Sequence, residues 1–152
     1  MKMAAKVGVI QLDGSRVRVA LVKTGGKRPT IAERTTRDAP GQDREEARIF
    51  LLQTIREAIE DLHVRPQTFV VCADGQFGVV RSLTIPFRGT RKVAAAVQFE
   101  LEPYLAFRIE DLVVDHQIVR ERPGETDVLV AGMRRDRLEE LVSLFDEAGA
   151  PV

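Results

Sequence analysis

Cysteine, tryptophan and tyrosine are nearly absent from this 152-residue chain, which has only Cys72, no tryptophan and only Tyr104. A lone cysteine excludes an intrachain disulfide framework and fits a reducing compartment. Neither charge sign is in excess, since Lys plus Arg and Asp plus Glu number 23 each. Without a global field, no nucleic acid or anionic membrane is favoured as a partner. Long apolar runs are missing too. None approaches the ~20 residues that cross a bilayer, so no direct membrane insertion is expected of this chain. The opening MKMAAKVGVIQLDG lacks a long apolar signal core and leads straight into a strand pattern, so no secretory leader is expected. The ending GAPV breaks off just after a helix pattern, which points to a longer protein continuing beyond it.

What is present is enough for a core. Apolar residues make up 44% of the chain, suited to one domain or two small, intimate subdomains. Lys6 to Leu12 and Val17 to Lys23 read as strands joined by Asp13-Gly14-Ser15, because Asp-Gly favours a tight hairpin. Gly25-Gly26-Lys27 makes a second turn into a more polar strand, Pro29 to Thr35, completing an antiparallel meander. A linker at 38–42 follows. Asp43 and Glu46 have capping-box spacing and open a helix to about His63, with Leu51, Ile55, Ala58 and Leu62 as its apolar stripe. Gln67 to Ala73 is nearly continuous in apolar residues and predicts a buried strand returning parallel.

The stretch from Val79 to Phe107 organises the second half. Val80, Leu83 and Ile85 lie in a strand that Pro86 stops. Thr90 is the expected N-cap of a helix in which Val93, Val97 and Leu101 recur every fourth residue, until Pro103 closes or kinks it. Leu112 to Arg120 and Asp127 to Gly132 are further strands. A last helix starts at Asp136 with Glu139, buries Leu138, Leu141, Val142 and Phe145, and stops at Gly149.

Catalytic constellations are missing. Gly25-Gly26-Lys27 lacks the upstream glycine and following hydroxyl of a P-loop. His63, His116 and Cys72 have no metal-ligand spacing, and Cys72 in an apolar strand reads as a small inert hydrophobe. Glu100, Glu102, Asp111 and Asp115 form an acidic group that solvated surface accounts for equally well. Arg88, Arg91 and Lys92, and Arg134, Arg135 and Arg137, stand near helix starts, where the dipole disfavours cations. They either meet an anionic ligand or acidic partner or simply keep the surface soluble.

Taken together, VGVIQLDGSRVRVALVK, VVCADGQFGVVRSLTIPF, VAAAVQFELEPYLAFRIEDLVVDHQIV and TDVLVAGMRRDRLEELVSLFDEAGAPV resemble the N-terminal half of actin-like ATPase-fold proteins. The family is that of the PilM proteins of type IV pilus assembly and the cytoplasmic L component of type II secretion. The resemblance implies an α/β fold: a ribonuclease H-like subdomain at 1–78 and 135–152, with a strand-helix-strand-strand subdomain inserted at 79–134. A second actin-like lobe would lie outside this chain. It also implies a non-enzymatic cytoplasmic scaffold at the inner face of the bacterial inner membrane. Its partners would be platform proteins, an assembly ATPase or a membrane partner's cytoplasmic tail, with homodimerisation left open.

Two departures qualify the match. Where nucleotide-binding members carry a metal-holding Asp, this chain has Ile10 or Gln11. Magnesium-ATP would then have only Asp13, Gly14 and Ser15, so no cofactor is expected. The family's Pro-Phe is Ala106-Phe107 here. An actin-like ATPase missing its second lobe and an unrelated small-molecule-binding α/β domain are the competing readings. A partner groove is expected where the subdomains meet, lined by Glu100, Tyr104, Leu105, Phe107 and Arg108.

Overall fold

The computed structural model describes residues 6–14, 16–39 and 44–152. The chain divides into two compact units, Met1–Asp74 with Glu140–Val152, and Gly75–Glu139.

The first unit is built on a four-stranded sheet. Its strands are β1 (Lys6–Asp13), β2 (Arg16–Lys23), β3 (Thr30–Asp38) and β4 (Thr68–Cys72), in the order β3-β2-β1-β4. β1 and β2 pair antiparallel up to Asp13 opposite Arg16, where Gly14 takes a φ of 55° to close the turn. After helix α1 (Arg44–Glu60), β4 returns parallel to β1. Alternation along β1 and β2 sends Ile10, Leu12, Val17, Val19 and Leu21 to one face of the sheet. There they meet Ile55, Ala58 and Ile59 of α1 and Leu144 and Phe145 of helix α3 (Arg135–Glu147). α3 ends in a Schellman arrangement: Gly149 has a φ of 76° and the Ala150 N–H reaches the Phe145 carbonyl at 2.9 Å.

The second unit is a three-stranded antiparallel sheet carrying one helix. β5 (Gly78–Ile85), β6 (Leu112–Arg122) and β7 (Glu125–Arg134) lie in the order β5-β7-β6. Helix α2 (Thr90–Leu101) turns Val93, Val97 and Leu101 inward onto Ile85, Val128 and Val130. Past Leu101 the helix tightens into a 3₁₀ turn at Glu102–Tyr104, where Pro103 cannot donate a helical hydrogen bond.

Several expectations are corrected. Cys72 is exposed, and so is half of Val70, because β4 is an edge strand with the unit's core on one face only. Thr90 does not cap α2. Gly89 does, at a φ of 91°, offering its carbonyl to the N–H groups of Lys92 and Val93 at 3.0 Å each. α1 ends at Glu60, although Leu62 just beyond it is buried. On α3 it is Leu144, not Val142, that joins Phe145 in the core. The Asp43 half of the expected capping box lies outside the described residues.

Candidate functional site

The second unit holds a cavity of about 620 Å³. β5 and the short 3₁₀ turn before it supply Phe77 and Val79. The segment after α2 supplies Tyr104, Leu105 and Phe107, and the start of β6 supplies Leu112. Glycine makes the room. A Cβ on Gly78 would come within 2.5 Å of the Gly132 carbonyl oxygen across the β5–β7 ladder, so neither wall carries a side chain there. Tyr104 is 57% exposed at the mouth, and the Arg81 guanidinium lies over its ring at 5.6 Å from the centroid. Phe107 is also partly exposed, whereas Leu105 packs against the core of the unit.

Two arginines complete the lining, Arg134 and Arg137. The Asp136 carboxylate accepts from Arg134 Nε at 3.0 Å and from the Arg137 backbone N–H at 2.8 Å. The Arg134 contact, ahead of the others, holds the Asp136 carboxyl below its ordinary value. The cavity is thus apolar and aromatic inside, with a paired polar group at its edge. That combination suits an apolar side chain from a partner polypeptide, with hydrogen bonds at the rim.

Of the residues expected to line a partner groove, Tyr104, Leu105 and Phe107 come together here. Glu100 is exposed on α2, and Arg108 donates from Nε to Glu110 at 3.3 Å; neither lines the cavity. Sequence reasoning missed Phe77, Val79 and Leu112, and it singled out Arg134 and Arg137 as candidate contacts for an anion or acidic partner without joining them to this cavity. The one available signal was a pair of glycines, Gly78 and Gly132, inside strand patterns.

The β1–β2 turn was the other candidate. Ile10 is fully buried in the core, and Gln11 offers an amide. The Asp13 carboxylate accepts from Arg18 Nη1 at 2.8 Å, a bond that ties the hairpin to itself. Gly14 lies beside it, and Ser15 is outside the described residues. With Asp13 engaged by Arg18 and an amide at Gln11, neither of these two residues offers a free carboxylate to a nucleotide-bound magnesium. Among the described residues no group of His, Cys, Asp and Glu side chains is arranged to hold a metal ion. None of their helices is long and apolar enough to cross a membrane.

A sheet ordered β3-β2-β1-β4, with an antiparallel meander and a parallel return, is ribonuclease H-like, the sheet type of the actin-like ATPase fold. No protein-family profile and no curated protein matches the sequence. Solved structures do match its fold. A chain of the PilM-PilN type IV pilus biogenesis complex superposes with a TM-score of 0.80, at 22% identity, over 99% of this chain. The cytoplasmic domain of EpsL, an inner membrane component of the type II secretion system of Vibrio cholerae, superposes with a TM-score of 0.65 at 14% identity over 96% of this chain. This chain spans about half the length of those proteins, 46% and 54% respectively. The likeness is one of fold.

Proposed function

We propose that this chain is the first lobe of a cytoplasmic scaffold protein of a bacterial inner-membrane platform, of the type IV pilus or type II secretion kind. The observation that carries this reading is the near-complete backbone match to a chain of the PilM-PilN complex. In this reading the first unit is the ribonuclease H-like subdomain, and the second is an inserted subdomain specialised for contacts. The protein works at the inner face of the membrane by holding other platform proteins, such as the cytoplasmic tail of a membrane component or the assembly ATPase. It catalyses nothing itself. The cavity bounded by Tyr104, Leu105 and Phe107 is the contact site, because an exposed tyrosine beside an apolar cavity is the kind of anchor that dominates interfaces.

A nucleotide-dependent reading has less support, because Asp13 is tied to Arg18 and Ile10 faces the core. The test is cross-linking in cells followed by purification of the tagged protein. Pilus or secretion inner-membrane proteins should be recovered with the wild type and lost with Tyr104→Ala, whose melting temperature should stay close to wild type. Recovery unchanged by Tyr104→Ala and by Leu105→Arg would remove the cavity from the proposal. Recovery of no platform protein at all would remove the proposal.

A further inference from the structure

The outward face of α2 takes no part in the cavity. Burial of Val93, Val97 and Leu101 fixes the rotation of the helix, so Arg91, Ala95 and Phe99 follow one another along its solvent side. Phe99 is 75% exposed, far more than an aromatic ring needs to be on a helix that is otherwise well packed. With Phe87, Lys92, Ala95 and Ala96 it lines an apolar groove of about 380 Å³. The loop bearing Phe87 is held in place, since the fully buried Thr126 donates its hydroxyl to the Phe87 carbonyl at 2.8 Å. A fixed apolar groove beside a projecting ring is an interaction surface.

The charges on α2 say what covers it. Arg88, Arg91 and Lys92 lie at its N-terminal end, and Glu100 and Glu102 at its C-terminal end. None of the five side chains has an ion-pair partner among the described residues. Both groups also sit at the end of the helix whose dipole disfavours them. A simple acidic segment would relieve only one end. A second α2 running antiparallel relieves both at once, because it brings a negative end to each positive one.

We infer that this face docks a second copy of the chain, with the two α2 helices antiparallel about a two-fold axis near residue 97. At a rise of about 1.5 Å per residue, Phe99 and the other copy's Ala95 both lie about 3 Å from that axis, so each ring enters the other's groove. Glu102 and the other copy's Lys92 both lie about 7.5 Å from it, with Arg91 just beyond. The contact is isologous and closes on itself. The helix is only about 18 Å long, so the contact falls below the size of a standard stable interface, and the dimer is transient and concentration-dependent.

The test is sedimentation of the full chain from micromolar concentrations to about 1 mM. Wild type should pass from monomer to dimer across that range. Arg91→Glu with Lys92→Glu, and separately Glu100→Lys with Glu102→Lys, should each weaken the dimer at least about tenfold. An equimolar mixture of the two charge-reversed proteins should regain wild-type affinity, a result that damage to the fold cannot produce. A wild type that stays monomeric throughout overturns the inference, as does a dimer indifferent to both reversals, or a mixture no better than its components. If the wild type is monomeric while Phe99→Asp loses a different protein in cross-linking, the face belongs to that protein and self-pairing is refuted.

Discussion

Leu101→Ala probes whether the second unit has a core of its own. Leu101 is 0% exposed and packs with Ile85, Val93, Val97, Val128 and Val130. Removing a fully buried leucine forfeits about 1.5–3 kcal/mol of transfer free energy, and the cavity left behind raises the cost to about 2–5 kcal/mol. The lower wall of that cavity is β7, hydrogen-bonded on both sides by β5 and β6 and unable to move inward. Only α2 can settle into the space, so collapse is partial and we expect about 3 kcal/mol. For a chain of this size the melting temperature should fall by about 6–12 °C. Tyrosine fluorescence reports on this unit alone, because Tyr104 is the only tyrosine, no tryptophan is present and residue 104 lies within Gly75–Glu139. Phe99→Ala is the internal control, since a side chain so exposed should cost no more than about 0.5 kcal/mol. Urea melts of both variants with unchanged m-values would isolate the stability difference. If Leu101→Ala unfolds within about 1 kcal/mol of wild type, or if Phe99→Ala costs as much, the assignment of inner and outer faces is wrong.

Other perturbations test separate parts of the structure. Gly78→Ala should cost about 1–3 kcal/mol in urea melts, because its Cβ would press on the backbone oxygen of Gly132; a neutral result would mean the β5–β7 approach is looser than described. Arg37→Met should destabilise at pH 6 and less at pH 3. Its hydrogen bond is the main reason the Asp61 carboxyl lies below its ordinary value of 3.8, and a lowered value gives stability that is present above 3.8 and lost as pH falls through the folded-state value. A gap between wild type and variant equal at both pH values would contradict that linkage. Asp13→Ala should leave magnesium-ATP calorimetry and phosphate release no different from wild type, with neither protein turning over; metal-dependent turnover lost in the variant would restore the nucleotide reading.

Where a pattern is local, the sequence carries the fold clearly. The spacing of four that joins Val93, Val97 and Leu101 depends only on helix geometry, and all three are buried. The Asp-Gly hairpin and the order of strands and helices follow from the same kind of short-range rule. Misreadings occur where the answer depends on what lies across a sheet. An apolar run such as that around Val70 and Cys72 says that a strand forms but not how many of its faces are covered. Likewise Thr90 is a better cap than Gly89 by composition. The loop after Pro86 nonetheless enters the helix through a positive φ that only glycine accepts readily, which leaves Thr90 one position inside.

The candidate site was legible in part for a related reason. Tyr104, Leu105 and Phe107 are consecutive or nearly so, and an aromatic cluster just past a helix-ending proline draws attention in any reading. Their opposite wall is not local. Val79 and Leu112 approach because β5 and β6 both pair with β7, a register that places Val79 opposite Gly132 and Leu112 opposite Arg134. Glycine is what gives the ladder an inner hollow at that point, since a side chain at Gly132 would meet Val79, Val114 and Leu112 at 3.3–3.6 Å. Two glycines inside strands weaken a sheet that could have been filled with valine. Here they leave open the cavity that Tyr104 overhangs, which makes the glycine pair the sequence feature that should have led to the site.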